Sequence, residues 1–528
     1  MATKKTVLFS GNEALAYGAY EAGLEFSAAY PGTPSTEITQ FLSQFKEIDS
    51  QWSVNEKVAF EIAYAASIGG KRSMYIGKHV GLNVAMDPFM TSAYTGVNAG
   101  FVIVTCDDPG MHSSQNEQDN RLFARVGKMP LLEPSSPSET KELIKKAFEI
   151  SEKFDTPVIF RMTTRICHSK ENVTIQERKD VPIKNFTPNP QKYVMIPRYA
   201  MMRHIELENR LLKLKKFAEN SPLNKMEVKD KKLGFITSGV TYLYAKEYYP
   251  NASYLKLSIS YPFPEKKVRD FCKKVKKVFV LEELEPFIQN NCERLGLKVY
   301  GRDASFHIGE MKPDHIPQIV AGKTKKDKPL VNRPPELCKG CPHRIVFNTL
   351  KKFDVIVAGD IGCYTLGTLP PFNGLHTCLC MGAGVTFQEG LSKSIQNKKV
   401  VGVIGDSTFV HSGITGLINA AYNKTKGVIL ILDNATTAMT GGQPHPATGK
   451  TLKQEETKQL SLEKICEVCG ADSIDVIDPA QVNDFEEILR KRLDENNLSV
   501  IIVRKPCILM KQKMHPKTFT NPTPGVGR

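Results

Sequence analysis

Two segments carry the strongest structural signal in this 528-residue chain: Val403-Ile404-Gly405-Asp406-Ser407 and, one helix length later, Ile431-Leu432-Asp433-Asn434. Each segment closes a short apolar run of the kind that forms a buried parallel strand. A strand, a helix and a second parallel strand place Asp406 and Asn434 at neighbouring carboxyl-terminal strand ends, where open α/β sheets bind ligands. Carboxylate and amide oxygens suit Mg²⁺. The sequence therefore predicts an α/β fold with a magnesium site at this edge.

These residues also resemble the signature of thiamine diphosphate-binding proteins, in which Gly-Asp-Gly or Gly-Asp-Ser is followed, after a gap of this length, by Asn. Gly-Asp-Ser alone is a common turn, and it is the gap and the flanking strands that favour cofactor binding. The resemblance implies that Gly405, Asp406, Ser407 and Asn434 bind the cofactor and its Mg²⁺, with the backbone oxygen of Thr436 as a further ligand.

Composition sets the class of protein. The length allows about three domains, and 41% apolar and 24% charged residues are typical of a soluble globular protein. No segment reaches the ~18 uninterrupted apolar residues of a membrane span, and the N-terminal segment does not resemble a signal peptide. We therefore expect a cytoplasmic protein without a membrane partner, whose twelve cysteines are reduced or bind metal.

The net charge of +15 has two interpretations. The first, which we favour, is a lysine-rich solvated surface. The second is attraction to an acidic partner, either nucleic acid or a small acidic redox protein. Because the lysine-rich runs do not alternate with aromatic residues, we expect no nucleic-acid groove. A small acidic redox protein remains as the second interpretation.

Changes in composition along the chain predict its organisation. Short apolar strands alternate with helical patterns in three stretches, which are separated by polar, basic or proline-rich segments. The predicted divisions are an α/β domain at 1–180, a linker or excursion at 181–231 with a helix at 202–219, a second α/β domain at 232–321, a linker at 322–335, a last domain at 336–510 and a loosely ordered or partner-bound tail at 511–528.

Glu56 is the candidate catalytic residue. It follows a predicted short strand and opens a predicted helix at 56–68. Thiamine enzymes carry their activating glutamate, which hydrogen-bonds the aminopyrimidine ring, at such a junction. A glutamate stabilised by the helix dipole would explain Glu56 on its own, but the signature elsewhere in the chain favours the catalytic role. The predicted apolar face of the helix consists of Val58, Ala59, Ile62 and Ala66.

Met381-Gly382-Ala383-Gly384 is the candidate cradle for the cofactor. Small residues at a helix N-terminus allow the backbone amides of Gly382 and Gly384 to approach a diphosphate closely. Met381 matches the residue that props thiamine diphosphate into its bent form. A core methionine is the alternative interpretation.

The cysteines suggest a second kind of site. Cys338-Lys-Gly-Cys341 has the spacing of a metal-binding pair, and Cys363 and Cys507 can complete a set of four ligands. Zinc ribbons usually draw their ligands from a short segment, whereas such dispersed cysteines fit an iron–sulfur cluster in a folded domain. A structural zinc at Cys338 and Cys341 is the main alternative.

With these residues assembled, the chain resembles the indolepyruvate ferredoxin oxidoreductase alpha subunits, the arylpyruvate branch of the 2-oxoacid:ferredoxin oxidoreductases. The resemblance implies three doubly wound α/β domains of the thiamine diphosphate-binding type: a pyrimidine domain, a transketolase C-terminal-like domain and a diphosphate domain. The stretches that carry it are 30–38, 78–85, 113–119 with Arg121, 338–344, 359–367 and 405–446.

The resemblance implies oxidative decarboxylation of an arylpyruvate to its acyl-CoA. The cofactors would be thiamine diphosphate, Mg²⁺ and one [4Fe-4S] cluster on Cys338, Cys341, Cys363 and Cys507, with coenzyme A as co-substrate. The partners would be a smaller catalytic beta subunit and a ferredoxin or ferredoxin-like subunit in an oligomer. For the substrate carboxylate, Arg121 or a donor around Thr33 and Ser35 is the candidate, since an arginine fork matches a carboxylate.

The sequence departs from this family in one respect. The alpha subunit usually ends in a two-cluster ferredoxin domain, and the present sequence contains no Cys-x-x-Cys-x-x-Cys-x-x-x-Cys-Pro run. A separate ferredoxin-like subunit would then carry the electrons away. Two alternatives stay open: a non-oxidative thiamine diphosphate-dependent 2-oxoacid decarboxylase with vestigial or zinc-bound cysteines, and a basic zinc-containing nucleic-acid binder.

Overall fold

The computed structural model describes residues 5–326 and 335–513. The chain forms two compact units, residues 1–330 and 331–528. The first unit consists of β1 (Thr6–Ser10), α1 (Gly11–Glu21), β2 (Phe26–Ala29), α2 (Thr36–Leu42), β3 (Asp49–Trp52), α3 (Glu56–Ile68), β4 (Ser73–Lys78), α4 (His79–Val84), α5 (Met86–Thr95), β5 (Phe101–Asp107), α6 (Arg121–Gly127), β6 (Leu131–Leu132), α7 (Pro137–Phe154), β7 (Val158–Thr163), α8 (Thr164–His168), β8 (Lys170–Thr174), α9 (Pro190–Tyr193), α10 (Pro197–Asn220), β9 (Lys225–Glu227), β10 (Asp230–Thr237), α11 (Thr241–Tyr248), β11 (Ala252–Lys256), β12 (Ile259–Tyr261), α12 (Glu265–Lys274), β13 (Lys277–Leu281), α13 (Phe287–Arg294) and α14 (His315–Val320).

The second unit is smaller and contains one sheet. It consists of α15 (Pro342–Leu350), β14 (Val355–Ala358), α16 (Ala383–Ser394), β15 (Lys399–Gly405), α17 (Asp406–Thr408), α18 (Ile414–Tyr422), β16 (Gly427–Asp433), α19 (Leu462–Val468), β17 (Ser473–Ile477), α20 (Val482–Asp494), β18 (Leu498–Arg504) and α21 (Ile508–Lys513). Short 3₁₀ turns lie at Ala304–His307 in the first unit and at Cys363–Thr368, Ala438–Thr440 and Pro446–Thr448 in the second.

The first unit is built on a seven-stranded sheet in the order β12-β6-β7-β5-β4-β2-β3. Every residue of its central strands β4, β5 and β7 is buried, because helices cover both faces of the sheet. A four-stranded sheet, β13-β10-β11-β9, follows along the chain, and β12 pairs antiparallel with β6 of the larger sheet. The domains predicted at 1–180 and 232–321 therefore each contribute a sheet to the first compact unit.

The excursion predicted at 181–231 contains a longer helix than expected. Helix α10 starts at Pro197, whose missing N–H costs nothing in the first turn of a helix. Leu207, Leu211 and Leu214 are buried against the first unit, whereas Met201 and Ile205 on the other face are 72% and 64% exposed.

The five strands of the second unit are parallel, in the order β14-β15-β16-β18-β17. Strands β15 and β16 are adjacent, with Gly405 opposite Leu432 in the register. The two buried apolar strands predicted around Asp406 and Asn434 are thus confirmed, as is the α/β fold with parallel sheets. Within the described ranges, no helix combines the length and the apolar composition that a membrane crossing requires.

Helix α3 begins at Glu56 as predicted, but its predicted buried face is only partly right, since Ala59 is buried and Ile62 is not. Ala59, Phe60 and Ala63 are buried, while Ile62 is 37% exposed. Phe60 packs edge-on against Phe101 of β5, which turns the helix so that this stripe faces the sheet. Glu56 lies on the buried side, in line with Phe60 and Ala63, and only 6% of its side chain is exposed.

Candidate active site

Asp406 and Asn434 meet at the carboxyl edge of the second unit's sheet. Asp406 is 2% exposed, and its Oδ1 accepts a hydrogen bond from the Ser407 amide at 2.8 Å. Its Oδ2 accepts one from the Ala435 amide, at 2.9 Å. Since Ala435 directly follows Asn434, this bond ties the two predicted ligands together. Ala435 has a φ of +61°, a left-handed conformation that is uncommon for a residue with a Cβ and that the two strand ends impose.

The remaining residues of the predicted magnesium site belong to the same loop. The side-chain oxygen of Asn434 accepts a hydrogen bond from the Thr436 amide at 3.1 Å. The Thr436 carbonyl, the predicted backbone ligand, accepts a hydrogen bond from the Ala438 amide at 2.9 Å and keeps a second lone pair. The Ser407 and Thr437 hydroxyls lie 2.8 Å apart and close the loop. The oxygen donor set of Asp406, Asn434 and Thr436 suits Mg²⁺.

A buried histidine, His445, supports this edge, and sequence reasoning missed it. Its Nε2 lies 3.2 Å from Asp406 Oδ2, and its Nδ1 is buried without a hydrogen-bond partner among the described residues. The pair holds the Asp406 carboxylate in one orientation. No pattern in the segment 441–445 predicts this role, because the fold of a loop, not the local sequence, brings His445 to Asp406.

The predicted cradle at Met381–Gly384 is occupied by a side chain. The Gly384 amide at the start of α16 donates to Asp360 Oδ2 at 2.8 Å. A Cβ at Gly384 would lie 2.4 Å from the Val403 carbonyl oxygen, so this glycine allows α16 to pack on β15. The prediction that the Gly384 amide is available to a diphosphate is therefore wrong. Met381 is half-buried beside Gly382, whose φ is +92°.

Asp360 is a second residue that sequence reasoning missed. It is fully buried, and burial raises the pKa of its carboxyl to about 7, against the lowering effect of the backbone amides of Gly384, Ile361 and Gly382. In the sequence, the segment around Asp360 points only to Cys363 as a functional residue. Its role as the cap of α16 depends on contacts across the sheet edge that the sequence pattern does not show.

Three segments bring the four cysteines together. Cys341 precedes α15 and closes a turn on the Cys338 carbonyl, Cys363 opens the 3₁₀ turn after β14, and Cys507 follows β18. Burial raises the pKa of the Cys363 thiol to about 11, and Cys341, Cys507 and Cys338 each add to the rise by their charge. The four thiols are therefore close enough to interact electrostatically.

Within residues 5–326 and 335–513, no three His, Cys, Asp or Glu side chains converge closely enough to hold one metal ion. The Cys507 amide also donates to the Asn434 carbonyl at 3.0 Å, which joins Cys507 to the Asp406–Asn434 edge.

Glu56 occupies the corresponding edge of the first unit, at the start of α3. Its side chain packs against Gly81, where a Cβ would lie 2.7 Å from Oε1. Asn55 caps the helix by accepting from the Val58 amide at 2.9 Å, which fixes the helix start and with it the position of Glu56. The Glu56 carboxyl group lies so close to Gly81 that only a residue without a side chain fits at that position.

The candidate substrate residues Thr33 and Ser35 lie in the loop after β2. The Ser35 hydroxyl and amide both donate to the Gly32 carbonyl, at 2.7 and 2.8 Å, so Ser35 closes a turn and its donors are not available to a ligand. The prediction for Ser35 is therefore wrong. Thr33 is half-buried in the same loop and remains a candidate.

The prediction that Arg121 binds the substrate carboxylate is also wrong. The side chain is completely buried, and its guanidinium bonds Asp119, Glu282 and two main-chain carbonyls. Burial alone would raise the pKa of Asp119, but Arg121 and Arg161 outweigh it and lower the pKa to about 2. Arg121 is a structural cation that joins α6 to the residues after β13.

We expect Arg121→Met to destabilise the first unit rather than to alter a binding constant. The variant leaves Asp119 and Glu282 as buried carboxylates without their cation, which typically costs about 3 kcal/mol or more. Chemical denaturation should show this loss, with Arg125→Met, an exposed residue on the same helix, as the control. Wild-type stability in Arg121→Met would contradict the structural role.

Comparisons with known proteins agree with the fold of each unit. Residues 17–213 match the family described as "Pyruvate flavodoxin/ferredoxin oxidoreductase, thiamine diP-bdg". Residues 360–503 match "Thiamine pyrophosphate enzyme, C-terminal TPP binding domain". Together with the curated relatives, these matches indicate the class of thiamine diphosphate-dependent 2-oxoacid oxidoreductases.

Curated relatives show which family within this class the chain belongs to. Indolepyruvate oxidoreductase subunit IorA of Archaeoglobus fulgidus is 40% identical over 96% of this chain and 87% of its own length. The same subunit of Methanothermobacter marburgensis is 40% identical over 94% and 86%, and that of Pyrococcus horikoshii is 38% identical over 96% and 86%. The chain belongs to the indolepyruvate oxidoreductase subunit IorA family.

A solved structure shares part of the fold. It is a 2-oxoglutarate:ferredoxin oxidoreductase from Magnetococcus marinus with 2-oxoglutarate, coenzyme A and succinyl-CoA bound. Its TM-score is 0.50 at 18% identity, over 60% of this chain and 65% of that chain. At this identity the likeness bears on the fold alone.

Proposed function

We propose that this chain is the thiamine diphosphate-binding subunit of an enzyme that oxidatively decarboxylates an arylpyruvate to its acyl-CoA and passes the electrons through a [4Fe-4S] cluster to ferredoxin. The observation that carries the proposal is the similarity to IorA subunits along almost the whole chain. The adjacency of the Asp406–Asn434 edge to Cys507 supports the electron path.

In this proposal the residues around Asp406 and those around Glu56 have different roles. Asp406, Asn434 and the Thr436 carbonyl hold Mg²⁺ and with it the diphosphate, and Met381 supports the bent cofactor. Glu56 holds a proton against the aminopyrimidine ring. Once bound, thiamine diphosphate supplies the carbon nucleophile for the 2-oxoacid carbonyl and accepts the electrons that decarboxylation leaves behind.

The [4Fe-4S] cluster would lie on Cys338, Cys341, Cys363 and Cys507. We expect protein purified without oxygen to contain about four irons and four sulfides per chain, the composition of such a cluster. Cys363→Ser should lose most of both. Cys469→Ser is the matched control, since Cys469 belongs to the unrelated Cys466–Cys469 pair at the end of α19. Zinc instead of iron in the anaerobic wild type would favour the non-oxidative decarboxylase.

The proposed complex needs a second, smaller catalytic subunit and a ferredoxin-like carrier. The names of the relatives as subunits support the first of these. An exposed apolar stripe on α10, formed by Met201, Ile205 and Leu212, offers an association surface, and Lys213 and Lys216 beside it are exposed. The excess of basic residues would favour an acidic carrier, with an attraction that weakens as salt rises.

The decisive experiment is anaerobic turnover by the reconstituted complex. An arylpyruvate and coenzyme A should together drive reduction of a viologen dye, and omission of either should stop it. Acyl-CoA should form in step with dye reduction. Release of aldehyde without dye reduction would overturn the oxidative proposal in favour of the decarboxylase.

A further inference from the structure

Lys78, a lysine whose ammonium group has more hydrogen-bond donors than acceptors around it, lies at the same sheet edge as Glu56. Lys78 is the last residue of β4 and is 9% exposed. Its aliphatic stem crosses Gly32, where a Cβ would lie 3.1 Å from Lys78 Cδ. Gly32 precedes Thr33, so the lysine lies between the Thr33 loop and the start of α4. In the sequence, Lys78 belongs to the matching stretch 78–85, and no pattern there indicates a role for its side chain.

The contacts of Lys78 leave its charge incompletely satisfied. The described residues offer its Nζ one hydrogen-bond acceptor, the Ser113 carbonyl at 2.8 Å, and no carboxylate within 4.0 Å. An ammonium group has three donors. Leaving donors of a buried cation without acceptors is costly, so a ligand that accepts from them gains binding energy. The site is therefore prepared for an anion.

The charged groups around Lys78 have other tasks. Asp108 accepts from the Ser113 amide and from the Ser114 and Thr164 hydroxyls. Glu56, on α3, packs against Gly81. His79, the next residue, faces Asn116 at 3.1 Å. Burial lowers the pKa of Lys78 to about 8, and the charges of Asp108 and Glu56 oppose that shift.

We propose that the Lys78 ammonium binds the carboxylate of the 2-oxoacid substrate. This assignment rests on the proposed function and replaces Arg121, which is buried and fully paired. The location supports it, since Lys78 shares the carboxyl edge of the first unit's sheet with Glu56 and the Thr33 loop. A substrate carboxylate would accept the hydrogen bonds that the protein leaves unused and would compensate the buried charge.

The test compares Lys78→Met, Lys78→Arg and a matched control in the reconstituted complex. Methionine keeps the length of the side chain but removes the charge, so the KM for phenylpyruvate should rise about 10- to 100-fold, the range for losing one charge-assisted hydrogen bond. The kcat at saturation should change much less. Lys78→Arg should recover part of the loss. Lys57→Met, which removes an exposed lysine beside Glu56, should leave KM unchanged.

Two inhibitors separate a binding role from a structural one. 3-Phenylpropionate carries a carboxylate, and 3-phenylpropionamide is its neutral counterpart. In Lys78→Met, the inhibition constant of the acid should rise about as much as KM, while that of the amide should stay at the wild-type value. Equal weakening of both inhibitors would show that Lys78 only shapes the pocket, and would overturn the proposal.

The pH dependence of kcat/KM in the wild type tests the role of Lys78 independently. Lys78 is cationic below its pKa, so kcat/KM for phenylpyruvate should fall as the pH rises through about 8. This fall should be absent in Lys78→Met. If Lys78→Met does not fold, the wild-type profile and the Lys78→Arg constants decide. A wild type without 2-oxoacid turnover would refute the proposed function, whereas an active wild type with an unchanged KM in Lys78→Met would refute this inference alone.

Discussion

Replacing Asp406 by alanine is expected to abolish measurable binding of thiamine diphosphate. The change removes the carboxylate that we propose as a ligand of Mg²⁺, and it leaves the Ala435 amide and His445 without their shared acceptor. Loss of an outer partner of a metal site typically costs 10- to 100-fold in affinity. We therefore expect His445→Ala to fall in this range and Asp406→Ala to exceed it.

Calorimetric titration with thiamine diphosphate and Mg²⁺ measures both variants. Asp478→Ala is the matched control, because Asp478 follows β17 of the same sheet but pairs with Lys505. The control should bind as the wild type does. Wild-type affinity in a folded Asp406→Ala protein would show that the diphosphate is held elsewhere in the chain.

The parts of the site that could be predicted are those fixed by local pattern. Strands β15 and β16 are short apolar runs separated by one helix, and such a unit places the residues after the strands side by side. The Asp406–Asn434 pair follows from this geometry without any tertiary information. The start of α3 was predictable for a similar reason, since Asn55 and Glu56 form a typical helix beginning.

The errors arise where distant segments decide a residue's surroundings. Arg121 looked available because Glu282 and the carbonyl of Glu283, which bury it, lie far along the chain. The Gly384 amide seemed available to a diphosphate in the sequence because Asp360, which accepts its hydrogen bond, belongs to another segment. Lys78 received no role because its burial is set by its neighbours in the fold, not by its place in the sequence.

Replacing Glu56 by glutamine should separate cofactor binding from cofactor activation. Glutamine keeps the size of the side chain and can still pack against Gly81, so we expect the fold and the affinity for thiamine diphosphate to persist. An amide does not exchange a proton with the aminopyrimidine ring as a carboxyl group does. Loss of one well-placed acid–base group typically slows a reaction by about 10² to 10⁴.

The exchange of the thiazolium C2 proton with deuterium, followed by NMR on the bound cofactor, reports this step without substrate, partner subunit or cluster. It should slow by about 10² to 10⁴ in Glu56→Gln. It should be unchanged in Glu61→Gln, which alters an exposed glutamate on the same helix that pairs with Lys57. Normal exchange in Glu56→Gln would show that Glu56 has no catalytic role and is only a buried residue at the start of a helix. Slow exchange together with retained binding would assign proton transfer to this residue, because loss of the helix-dipole interaction of a carboxylate would not by itself slow proton exchange on the bound cofactor.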